Sequence, residues 1–95
     1  MNLTNFEDLI SETILERGMD YYEDLAVEDL QGPGNGQWFA LVQGTQEYQV
    51  AIRLDDTEEI LEYSCTCPYK GEICKHVVAV LFEIRDAIEL EENED

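Results

Sequence analysis

All three cysteines and the single histidine of the 95-residue chain lie between Cys65 and His76, spaced C-x-C-x6-C-x-H. Three thiolates and one imidazole make a complete tetrahedral zinc shell. Cys65, Cys67, Cys74 and His76 therefore read as one metal site for one structural Zn2+. The spacing has a geometric reason. Residues i and i+2 of a strand point to the same side, so Cys65 and Cys67 act as a two-pronged donor at a strand end. Pro68 stops that strand from pairing further, and Gly71 eases the return. Cys74 and His76 then open a helix, where the dipole and free amides favour the negative charge of a thiolate.

Other readings of these residues are weaker. The cysteines could be inert core side chains, a disulfide with one thiol left over, or a redox pair. A secreted disulfide scaffold wants an even count and a leader, and the first eight residues offer neither a basic start nor an apolar run. A reducing compartment is expected, cytoplasmic or nucleoid-associated and not secreted. A lone histidine beside an apolar run is usually core, but here it completes a four-donor pattern.

With Cys67-Pro68-Tyr69 after the first pair, and Cys74-Lys75-His76 running into Val77, Val78, Ala79, Val80 and Leu81, the pattern resembles a SWIM zinc finger of bacterial or archaeal type. Upstream, Arg17-Gly18-Met19-Asp20-Tyr21-Tyr22 and residues 44–50 resemble segments preceding the motif in such members. The resemblance implies zinc held by Cys65, Cys67, Cys74 and His76. It also implies DNA binding or protein interaction, since similar domains occur in Swi/Snf-like helicase-related ATPases, Mutator-type transposases and partners of recombinase paralogues. One position departs: Leu25 stands where the resemblance implies a glycine after the tyrosines.

The elements that must position these donors follow from periodicity. Thr4 reads as an N-cap, with Glu7 completing a capping box, and Phe6, Leu9, Ile10, Thr13 and Ile14 recur on one helical face. Gly18 is expected to end or bend that helix, leaving Tyr21 and Tyr22 for the core. Strand periodicity begins at Ala26, with a first strand over 26–31, a glycine-rich turn over 32–36 and a strand over 37–42. A strand after those glycines excludes a phosphate-cradling loop, which needs a helix there. Tyr48, Val50, Ile52 and Leu54 then alternate with polar or small residues. The acidic stretch 55–59 lacks the glycine and ligand spacing of a calcium loop and reads as a solvated hairpin turn.

Leu61, Tyr63, Cys65 and Cys67 share one parity, which places the first two donors on the core side of the last strand. Val77, Val80, Leu81, Ile84 and Ile88 form the stripe of a final helix over about 74–90. Val78 and Phe82 lie off that stripe; covered by the N-terminal helix they are core, and uncovered they are a docking patch. The expected class is α+β: an N-terminal helix, a three- to four-stranded antiparallel β-meander, a zinc loop and a C-terminal helix, like a ββα zinc finger. One domain over residues 1–90 is expected, with an acidic tail over 91–95.

Charge narrows the partner. Five Lys and Arg against 23 Asp and Glu give a net −18, whereas proteins that grip a nucleic-acid backbone commonly neutralise about six to ten phosphates. The cations Arg17, Arg53, Lys70, Lys75 and Arg85 are scattered. A solvated surface, adaptation to high salt and a basic partner each account for so much acid. No run of about 18 apolar residues is present, so no membrane span is expected. The favoured function is a non-catalytic structural zinc module engaging a protein partner, in what the resemblance implies is a DNA-processing, recombination or remodelling system, with Val78, Phe82, Tyr69, Lys70 and Lys75 as candidate contacts. The alternative is direct DNA or RNA binding, with Lys70 and Lys75 on phosphates and Tyr69 stacked on a base. Thiol redox chemistry is a lesser alternative. An enzyme with a small-molecule substrate is not expected, because a four-ligand shell leaves no open position and a second histidine is absent.

Overall fold

A computed structural model describes residues 1–34, 36–68 and 73–92, apart from the side chains of Pro33, Glu91 and Glu92. The elements are α1 (Phe6–Leu9), α2 (Glu12–Glu23), β1 (Val27–Gly34), β2 (Gln37–Gln43), β3 (Glu47–Leu54), β4 (Ile60–Cys65) and α3 (Lys75–Glu92). The strands form one antiparallel meander in sequence order. This is the expected α+β class, with all four strands present. Period-two alternation explains the sheet: Trp38, Ala40 and Val42 on β2 and Tyr48, Val50, Ile52 and Leu54 on β3 are buried on one face. Helix α3 lies across that face and touches every strand. Its Val77, Val80, Leu81 and Ile84 are fully buried, each such side chain contributing about 1.5–3 kcal/mol over an exposed one.

The N-terminal helix is divided. Asn2 Oδ1 accepts from the Thr4 and Asn5 amides at 2.8 and 2.9 Å, so Asn2 sets the turn and Thr4 caps nothing. Helix α1 starts after Asn5 with no side-chain cap. Ser11 Oγ then accepts from the Ile14 amide at 3.4 Å and begins α2, as a serine N-cap does. The break leaves Phe6 and Ile10 buried and turns Leu9 outward.

Gly18 does not end α2, which continues to Glu23. A β-carbon there would lie 2.4 Å from Val78 Cγ1 and 2.6 Å from Val78 Cβ. Glycine costs about 1 kcal/mol of helix propensity against alanine, and here it permits the close crossing of α2 on α3. Val78 is accordingly 0% exposed and Phe82 3%. Phe82 packs edge-on to Phe6 at 5.2 Å and near Tyr22 at 5.5 Å. Both residues are covered core, so the docking patch they would make if uncovered does not exist.

Two strands deviate from simple alternation. β1 extends through Gly34 and is irregular, with register shifts against β2 and positive φ at Asp29 (51°) and Gly32 (144°). On β4, Leu54 pairs with Ile60 and Arg53 with Glu62, so Leu61 is an extra residue. This bulge turns Leu61 outward, 51% exposed, where parity places it inward. Downstream of it, Tyr63 and Cys65 resume the core-facing side and pack against the core. The hairpin before β4 is set by Asp55, whose Oδ1 accepts from the amides of Thr57 and Glu59 at 2.8 and 2.9 Å.

The end of α2 is a Schellman motif. The Leu25 amide donates to Tyr22 O at 3.2 Å and the Ala26 amide to Tyr21 O at 3.0 Å. Leu25 takes the left-handed position, with φ 60°, where a glycine is free of the β-carbon clash. It is 76% exposed and gains little by burial. Left-handed backbone costs a leucine about 1–2 kcal/mol, and the extra unfolded-state freedom of glycine returns about 0.4–1 kcal/mol. Leu25→Gly is therefore expected to stabilise the zinc-loaded protein by about 0.5–1 kcal/mol, read as a higher denaturant midpoint; a lower midpoint contradicts the strain.

Candidate metal centre

The four donors meet where β4 ends and α3 begins. Cys65 closes β4 opposite Val50. One residue further, the Thr66 amide donates to Gln49 O at 3.1 Å, and Thr66 Oγ1 accepts from the Gln49 amide at 2.9 Å. This reciprocal pair holds the chain extended past β4, bringing Cys67 to the same side as Cys65. Cys74 precedes α3 and its carbonyl accepts from the Val78 amide at 3.2 Å, while His76 lies in the first turn.

The ligating atoms of Cys65, Cys67, Cys74 and His76 all lie within 4.8 Å of one another. His76 Nδ1 is 3.7 Å from Cys65 Sγ and 3.8 Å from Cys74 Sγ. A tetrahedron with Zn–S of about 2.3 Å and Zn–N of about 2.0–2.1 Å has S···N edges of about 3.5 Å and S···S edges of about 3.8 Å. The cluster is thus the size of one zinc shell, with Nδ1 as the inward nitrogen. No disulfide links the three cysteines.

Burial makes the site demand a cation. Cys74 and His76 are buried, and Cys65 and Cys67 half-buried. Desolvation pushes the Cys65 thiol up to about 12, helped by the nearby Cys74 sulfur and opposed by the Cys67 amide. Desolvation also raises Cys74, against an opposing Val77 amide. His76 is lowered, first by burial and then by Lys75, which keeps the imidazole neutral as a ligand must be. Three thiolates with Zn2+ sum to −1, and Arg17 and Lys75 line the adjoining cleft of about 330 Å3 together with Cys67, Pro68, Cys74 and His76.

The donor set, spacing and burial all fit a single structural Zn2+. Residues 48–84 match the family model of the SWIM zinc finger. The segment is a SWIM zinc finger. Comparison with curated proteins and with solved structures gave no match. The SWIM match covers β3, β4 and most of α3 and leaves out α1, α2, β1 and β2.

Among the candidate contacts, Lys75 is half-buried with Nζ 5.3 Å from the Tyr21 ring centroid. Tyr69 and Lys70 lie outside the described residues. Two residues at the centre escaped sequence reasoning: the rings of Tyr48 and Tyr21 lie 4.3 and 5.1 Å from that of His76. The parity of Tyr48 in β3 marked it as inward-facing, but no local signal ties Tyr21 to the zinc finger.

Zinc uptake at neutral pH is expected to displace protons from Cys65 and Cys74, whose folded thiols are held above their ordinary pKa. Apparent affinity then rises with pH while these thiols remain protonated, by about tenfold per unit for each proton displaced. Calorimetry in buffers of different ionisation heat counts the protons; uptake with none released refutes thiolate ligation.

Proposed function

We propose that this chain is a non-catalytic zinc module in which Cys65, Cys67, Cys74 and His76 hold one Zn2+ and the closed form engages a protein partner. The observation that carries the reading is the origin of the donors: two follow from the end of β4 and two from the start of α3. An ion shared by both ties the last strand to the helix that covers the sheet. Structural zinc binds finger peptides with about 10–16 kcal/mol, as much as the about 5–15 kcal/mol that stabilises a whole domain. Metal is then a condition of folding. Four protein ligands leave no position for an activated water. Residues 1–90 would be the domain and 91–95 its acidic tail, in a reducing compartment that keeps the thiols available.

Charge supports a protein over a nucleic acid. The net charge is −18, and two of the five cations are already engaged: Arg85 with Glu7 and Lys75 on Tyr21. Glu16, Asp20 and Glu23 instead rim a groove of about 400 Å3 whose accessible apolar lining is Leu15 and Met19, a surface suited to a basic segment with an apolar anchor. A role in DNA processing, recombination or remodelling rests on the family resemblance.

Removing zinc with a chelator is expected to abolish the circular dichroism of at least α3, and readdition to restore it; an unchanged spectrum after complete removal refutes the structural role. Fluorescence titration with DNA and RNA is expected to show no binding even at low salt. Tight, salt-dependent binding there would favour the nucleic-acid reading.

A further inference from the structure

Histidines that bind metal ordinarily donate their second ring N–H to a carboxylate, a carbonyl or water, which fixes the ring in place. His76 is held differently. Its Nδ1 faces the sulfurs of Cys65 and Cys74, so Nε2 is the outer nitrogen. That atom is buried and has no hydrogen-bond partner among the described residues. What flanks the imidazole is aromatic. The Tyr48 ring stacks with its centroid 4.3 Å away and 27° between planes, and the Tyr21 ring lies at 5.1 Å and 31°.

Both tyrosines are themselves fixed from the turn between β2 and β3. Tyr48 Oη is 3.0 Å from Thr45 Oγ1. A β-carbon on Gly44 would stand 3.0 Å from Tyr48 Cε2 and 3.3 Å from Tyr21 Oη, so the two side chains converge on the space that this glycine leaves empty. From the other direction, Lys75 Nζ lies 5.3 Å from the Tyr21 ring centroid. Three elements, α2, β3 and α3, therefore meet at one imidazole.

We propose that Tyr21 and Tyr48 are positioning residues of the metal centre, whose rings hold the His76 imidazole in its ligating orientation in place of a hydrogen-bonded acceptor. The proposal rests on His76 being a zinc ligand. Rotation of the ring about its bond to Cβ–Cγ carries Nδ1 away from the sulfurs, and stacked neighbours oppose that rotation through packing alone. Tyr21 lies outside the segment that matches the SWIM family, so the N-terminal arm contributes a part of the zinc site. Occupancy of the metal and docking of α2 are consequently linked: whatever loosens α2 weakens zinc binding, and zinc strengthens the seat of α2.

The test compares the full chain with Tyr21→Leu, Tyr21→Phe, Tyr48→Leu and Tyr48→Phe. Zinc affinity is read by competition with a chromogenic chelator, and the ligand field by the spectrum of the cobalt(II) form. His76 is the only histidine, so its imidazole nitrogen resonances report the metal bond and the tautomer without ambiguity. Each leucine variant is expected to lose about tenfold or more in affinity, as second-neighbour substitutions at metal sites do, with shifted cobalt bands and altered imidazole resonances. Each phenylalanine variant retains the ring and is expected to restore wild-type behaviour. Wild-type affinity and spectra in both leucine variants overturn the proposal, as does a fall in stability with the cobalt and imidazole spectra unchanged. If Tyr48→Leu does not fold, the half-buried Tyr21 decides the matter by the same readouts. An imidazole without a metal bond in the wild type overturns the ligand assignment as well; a metal bond present in the wild type and unmoved in the variants overturns the tyrosine role alone.

Discussion

The structure turns on the burial of four metal donors at the junction of a strand and a helix. Sulfurs crowded away from water resist ionisation, as the raised Cys65 and Cys74 thiols show, and a divalent cation reverses that balance. The local architecture serves this meeting point. The β3–β4 ladder and the Thr66 bridge to Gln49 deliver two cysteines on one side. Helix α3, seated across the sheet by Val77, Val80, Leu81 and Ile84, delivers Cys74 and His76. Neither pair can move without disturbing a buried face.

The segments outside the matched family region brace this arrangement. Gly18 lets α2 approach α3 at Val78, and Phe6 and Tyr22 close over Phe82. The N-terminus also reaches the start of β4: the Met1 ammonium pairs with Glu59 at 2.9 Å, and the Ile60 amide donates to Met1 O at 2.8 Å. The first residues thus hold both the strand that leads to the cysteines and the helix that follows them.

Charge has two scales in this molecule. Globally, a net −18 opposes polyanions and favours basic partners. Locally, Arg17 and Lys75 line the cleft beside the tetrad, where a zinc–trithiolate centre carries −1. Of the other cations, Arg85 is spent on an internal pair with Glu7. The exposed α2 groove rimmed by Glu16, Asp20 and Glu23 expresses the global acidity in a form with an apolar lining.

The four donors that C-x-C-x6-C-x-H spacing groups together are the four that the fold brings within 4.8 Å, because strand parity and a short loop act over few residues. The alternation in β3 and the α3 stripe are equally legible, being properties of local periodicity. Leu25 stands out only as a departure from the family resemblance, which implies glycine there; the left-handed backbone behind it belongs to the structure. Other features depended on residues distant in the chain. Gly18 reads locally as a helix stop, yet only the arrival of Val78 gives its missing side chain a purpose. The Leu61 bulge depends on register against β3, and the split at Ser11 on how Phe6 and Ile10 reach the core. Periodicity cannot show that Tyr21 and Tyr48 flank His76, since contacts across α2, β3 and α3 exist only once hydrophobic burial has packed those elements together.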